Sequence, residues 1–157
     1  MLFSGLITMF LASISALAEK DIKKMIALST LRQLGVIVIA ISLGFYFIAF
    51  LHLLIHAFFK AILFISTGDF IHESNSYQSL LKSGSIYFSS GVNSSTTIVA
   101  SLGLIGAPFA GAYFSKESIA ENIITDSLGV FFAYFIVCGV IITLVYRIRF
   151  LYLVVLK

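Results

Sequence analysis

Long apolar runs separated by short polar breaks dominate the chain, and this spacing predicts helices long enough to cross a bilayer rather than alternating strands. A first run covers about 1–18 and stops at the charged segment Glu19–Lys24. A second covers about 25–43, and Gly44 marks the break before a third at 45–71. A polar stretch follows, from His72 to Gly91. The run at 92–124 would be about 50 Å long as one helix, against a hydrocarbon core of about 30 Å. It contains Gly103, Gly106, Pro108 and Gly111, and proline removes a backbone donor and clashes with the preceding turn, so a break near Pro108 is expected. Ser115 is then a candidate cap for the second half-helix. A last run covers about 128–146 and meets Arg147 and Arg149. The pattern reads as an all-α polytopic membrane protein, one domain over 1–157, with about five spans, the fourth interrupted.

Loop charges orient those spans. Lys20, Lys23, Lys24, Lys82, Arg147, Arg149 and Lys157 fall on one side, with Arg32 just inside an adjoining helix, and no Lys or Arg falls on the other. Basic loops stay on the cytoplasmic or matrix side, which places the C-terminus there and the N-terminus opposite.

Composition strengthens the membrane reading. Apolar residues make up 60% of the 157 and charged residues 11%, against about 45–50% and about 25% in soluble domains. Mean hydropathy is +1.09, so lipid bilayer is the expected solvent. The net charge of +3 is too small and too scattered for nucleic acid. A single cysteine, Cys138, reads as a small apolar residue and is too few for an iron–sulfur cluster or a zinc site. No glycine-rich nucleotide fingerprint is present, so no cofactor is expected on this chain. The first run lacks a basic n-region and a cleavage site, and is expected to be retained as a helix. Sixteen Phe with no Trp suits an AT-rich organellar genome.

One stretch conflicts with all this apolarity. "FLHLLIHAFFKAILF" carries His52, His56 and Lys60 at four-residue intervals. Four residues turn a helix by about 400°, so the three form one stripe about 12 Å long. Ionisable groups at membrane depth are costly and normally face a bundle interior or a hydrated path. Hydrogen bonding between helices would account for one lone histidine. A metal site would use the His–x3–His spacing, yet Leu53 stands where a metalloprotease has glutamate, and no third ligand is evident. A proton relay uses all three, since histidine titrates near neutral pH and a lysine away from water can exchange its proton. Lys116 joins the list because it follows the broken segment, and interrupted membrane helices gather ion sites.

Three long motifs also carry a resemblance. "DIKKMIALSTLRQLG" (Asp21–Gly35), "HLLIHAFFKAILFISTGDFIH" (His52–His72) and "GAPFAGAYFSKE" (Gly106–Glu117) resemble, in order and spacing, the antiporter-like subunits of respiratory complex I. The Phe-Phe-Lys-Ala and Phe-Ser-Lys runs are most similar to the subunit 5 branch rather than to subunits 2 and 4. The resemblance implies two inverted five-helix repeats in the family fold, with this chain similar to the second. It implies a proton-translocating role in NADH:ubiquinone oxidoreductase of the mitochondrial inner membrane. Lys60 would lie on the central hydrophilic axis, His52 and His56 beside it, and Lys116 at the interrupted helix. FMN, iron–sulfur clusters and ubiquinone would belong elsewhere in the complex. Expected partners are the other membrane-arm subunits and a separately encoded N-terminal half, the chain reading as one part of a split subunit. A multisubunit Na⁺/H⁺ antiporter subunit, or a structural scaffold that has lost pumping, are the alternatives. Leu31 and Arg32 depart from the small polar pair common in the family and add a positive charge.

Overall fold

The computed structural model describes residues 1–73, 79, 91–107, 109–125 and 129–152. They form six helices: α1 (Leu2–Ala18), α2 (Ile22–Ser42), α3 (Tyr46–Glu73), α4 (Gly91–Ile105), α5 (Gly111–Thr125) and α6 (Gly129–Leu151). Among the described residues the only extended pairing is an isolated bridge between Asp21 and Ser79. By length and composition, Ile22–Ser42 and Tyr46–His72 can each cross a membrane, at 21 and 27 residues. Most of the polar segment His72–Gly91, together with Pro108 and Lys157, lies outside the described residues.

Two breaks set the topology. After α2 the chain reverses at Gly44, whose φ of 88° suits a residue without Cβ, and Gly44 N donates to Ile41 O at 3.0 Å. Between α4 and α5 the chain turns through Gly106 (φ 82°) and Phe109 (φ 67°), the latter almost fully exposed. The expected cap at Ser115 is not seen. Helix α5 already begins at Gly111, so Ser115 is interior, and its Oγ donates back to Ala112 O at 3.3 Å.

Small residues bring α1 and α2 close. A Cβ on Gly35 would stand 2.8 Å from Gly5 O and 2.9 Å from Met9 N, so the two backbones touch. Without a hydrophobic force between helices in lipid, such close packing is a main source of association. Two apolar clusters form along the bundle. One joins Ile22, Met25, Ile26, Leu63, Phe70, Leu104, Tyr146 and Phe150, and the other joins Met9, Val36, Ile37, Ile39, Ala49 and Ile119. Along α2 these clusters bracket Ser29, Arg32 and Gln33, and along α3 they bracket His52, His56 and Lys60. A polar layer therefore lies between two apolar ones.

Helix α6 runs past Arg147 and Arg149 to Leu151, which corrects one expectation. Arg147 is buried and bonds Ser29 Oγ at 3.1 Å, so it is not a loop charge. Arg32 is likewise interior to α2 and buried. The orienting charges thus reduce to Lys20, Lys23, Lys24, Lys82, Arg149 and Lys157.

The α1–α2 contact gives a direct test. Gly35→Val should force the helices apart and cost about 1–3 kcal/mol, as overpacking does. Gly68→Ala, where a Cβ meets nothing within 4 Å, should be neutral or stabilising. Thermal unfolding of the purified membrane assembly, with both variants measured side by side, reads the difference; equal melting would refute the backbone contact.

Candidate proton-transfer site

Helix α2 contributes to the polar layer because Ser29, Arg32 and Gln33 are spaced i, i+3, i+4 and share one face. Helix α3 contributes His52, His56 and Lys60, all buried. Helix α5 adds Ser115 and Lys116, and α6 adds Tyr146 and Arg147.

Lys60 is 4% exposed. Its Nζ donates to Ile26 O at 2.8 Å and to Ser29 Oγ. Ser29 Oγ also accepts from Arg147, so one hydroxyl lies between two cations and still donates to Ile26 O at 3.1 Å. One turn toward the other end of α3, the His56 ring stacks near His52, with centroids 6.2 Å apart and planes at 26°. His56 Nε2 is buried and has no protein partner within hydrogen-bonding distance.

His52 has both ring nitrogens engaged. Nε2 faces Gln33 Oε1 at 3.3 Å, and Nδ1 faces Ser115 Oγ at 2.8 Å. Gln33 Oε1 is an acceptor, so Nε2 carries a proton and donates. Ser115 has one hydroxyl proton and two acceptors within reach, His52 Nδ1 and Ala112 O. With neutral His52, Ser115 donates to Nδ1. With protonated His52, Nδ1 donates to Ser115, which turns its proton to Ala112 O. Both charge states are satisfied without moving a heavy atom.

Lys116 sits at the helix break. Its Nζ donates to Leu104 O at 2.5 Å and Ile105 O at 2.9 Å, the terminal carbonyls of α4. Those groups have no partner inside α4, and a cation there also complements the helix dipole. The absence of a Cβ at Gly106 gives the lysine stem its path, since an added Cβ would stand 3.4 Å from Lys116 Cδ. Lys116 and Arg32 line a cavity of about 320 Å³ between α2, α5 and α6.

The four residues singled out in the sequence are thus distributed over one layer. His52 joins α2 to α5, Lys60 joins α2 to α6 through Ser29, and Lys116 closes the α4 end. Sequence reasoning passed over Ser29, Gln33 and Arg147. The signal for the first two was the polar i, i+3, i+4 spacing in "STLRQ"; Arg147 has no comparable local mark. Every charged side chain buried in the described bundle is basic, and no aspartate or glutamate is buried with them. Among the described residues no group of three His, Cys, Asp or Glu side chains is placed to hold a metal ion.

Comparison with known proteins agrees with this architecture. A family described as "NADH:quinone oxidoreductase/Mrp antiporter, TM" matches residues 1–143. The chain is 43% identical over 154 residues to NADH-ubiquinone oxidoreductase chain 5 of Anopheles gambiae, covering 97% of this chain and 26% of the relative. It is 38% identical over 150 residues to the same-named protein of Branchiostoma lanceolatum, covering 96% and 25%. For that of Rattus norvegicus the identity is 38% over 154 residues, covering 98% and 25%. The chain therefore spans about a quarter of the length of the curated relatives it matches. With six helices among the described residues and an interrupted α4–α5 segment, it is an all-α membrane protein and belongs to the NADH:quinone oxidoreductase/Mrp antiporter transmembrane family.

Proposed function

We propose that this chain supplies part of a proton-translocating path in the membrane arm of a mitochondrial NADH:ubiquinone oxidoreductase. The observation that carries the reading is the partner set of His52, which accommodates both protonation states in place. A group with that property can gain or lose a proton without rebuilding its surroundings. His52 and His56 act as the relay, Lys60 stores and releases charge, and Lys116 links the path to the helix break. With ring centroids 6.2 Å apart and both His52 nitrogens engaged, transfer from His52 to His56 requires one of those bonds to exchange for a bridging water, for which the unpartnered His56 Nε2 offers the other contact. NADH, FMN, iron–sulfur and ubiquinone chemistry belongs to other chains, and the other membrane-arm subunits are the partners. The printed names of the relatives favour this reading over a Na⁺/H⁺ antiporter subunit, the other activity in the family description.

In the membrane, α1, α2, α3, the α4–α5 pair and α6 make five spans. The N-terminus lies on the intermembrane-space side and the C-terminus on the matrix side, following the basic groups at 20–24, Lys82, Arg149 and Lys157. Protease protection of terminal tags in inner-membrane vesicles should cleave the two from opposite sides. Cleavage of both from one side refutes five spans.

Lys60 provides the functional test. Lys60→Met keeps the apolar stem and removes the proton site, whereas Lys60→Arg keeps a charge that guanidinium does not release. The relay predicts that both variants assemble and both lose most proton uptake in vesicles. A purely structural pairing predicts that Arg substitutes tolerably and Met fails to assemble. Full pumping by an assembled Lys60→Met complex overturns the relay.

Ser29→Ala separates holding from relaying. It removes a hydroxyl that accepts from both Lys60 and Arg147, leaving buried donors short of a partner. The expected cost is about 1–3 kcal/mol of stability. Thermal unfolding of the assembly measures it, and unchanged stability would show that Ser29 holds neither cation.

A further inference from the structure

Arg32 and Arg147 are the buried cations that the proposed proton path does not use, and of the two only Arg32 has a buried donor atom without a partner. It is 2% exposed, the Tyr146 hydroxyl faces its guanidinium, and its Nε is buried with no hydrogen-bond partner. It lines the cavity of about 320 Å³ shared with Lys116, whose ammonium spends two of its three donors on α4 carbonyls. Glu117 reaches the same cavity but is exposed and accepts from Tyr113 Oη at 3.2 Å; it forms no ion pair with Arg32 or Lys116. Val137 and Ile141, half-exposed on α6, form the apolar rim. Two cations thus face one mostly apolar opening, and within the described bundle no buried acid answers them.

A buried guanidinium with an open donor is expensive, and a carboxylate that takes its donor edge is the usual remedy. Depth decides the source. Arg32 lies ten residues into α2 from Ile22, about 15 Å along the axis, near the middle of a core of about 30 Å. Lipid headgroups stay at the membrane surface and do not reach it. A side chain on a spanning helix does. The relatives carry about three-quarters of their length outside the matched segment, chain enough to supply further spanning helices.

We infer that the α2–α5–α6 cavity receives an aspartate or glutamate from an apolar membrane helix outside these 157 residues, which pairs with Arg32. The site is a docking contact, independent of whether Lys60 relays protons.

The experiment uses the intact membrane complex with the R32K variant and a membrane-permeant carbodiimide. The reagent condenses an amine with a carboxylate in ion-pair contact to an amide, itself taking up the water as a urea. The expected product, found by mass spectrometry and absent in the parent complex, joins position 32 to an Asp or Glu in an apolar peptide outside this chain. R32E should lower retention of that peptide's chain on native gels about tenfold or more, and Lys at the joined acid should restore it. An assembled R32K complex with no such product overturns the inference. So does a product with Glu117, a lipid adduct at position 32, or undiminished retention in R32E. None of these readouts involves pumping, so their failure leaves the reading of Lys60 standing.

Discussion

Lys60, Arg147 and Arg32 lose most of their hydration inside this bundle, and among the described residues they meet dipoles rather than carboxylates. Ile26 O and Ser29 Oγ hold Lys60, Ser29 Oγ also holds Arg147, and the Tyr146 hydroxyl faces Arg32. A carboxylate would offset more of the desolvation cost, but it would also fix a lysine in its charged form. Hydroxyls and carbonyls bind more weakly and leave a neutral amine nearly as well placed as an ammonium. The proposed relay at Lys60 uses this property, whereas the guanidinium groups of Arg32 and Arg147, which do not release a proton, gain nothing from it.

The same constraint shapes the helices around it. Helix α2 gives its middle to Ser29, Arg32 and Gln33 and both its ends to apolar packing, and α3 follows suit with its His–His–Lys stripe between Ala49 and Leu63. Apolar layers above and below enclose this polar band. Gly35 against Gly5 then locks α1 onto the opposite side of α2, leaving the polar face turned toward α3, α5 and α6.

Much of this was legible in the chain, and the gaps have physical causes. The His52–His56–Lys60 stripe follows from helical periodicity alone, because an interval of four leaves no alternative to a shared face. Gly44 announced its break by being the one flexible residue between two apolar runs. Arg147 was misread because an apolar window ends where charges begin, and a window cannot tell a helix end from a buried arginine. Its partner Ser29 is 118 residues away, and no local pattern encodes that pairing. Ser115 fails as a cap for a related reason. The turn at 106–110 is tight enough for α5 to start at Gly111, which puts the hydroxyl one turn inside, opposite His52.

Lys116 ties the fold to the chemistry most closely. Interrupting a helix within a membrane leaves its last carbonyls without donors where water is scarce. Leu104 O and Ile105 O are such groups, and Lys116 meets both from the next helix. A neutral amine could still donate to them, but it could no longer complement the negative end of the α4 dipole. Lys116 therefore supplies from α5 the donors that the end of α4 lacks. A Lys116 without its charge would lose that complement at the α4–α5 junction, the junction that also presents Ser115 to His52.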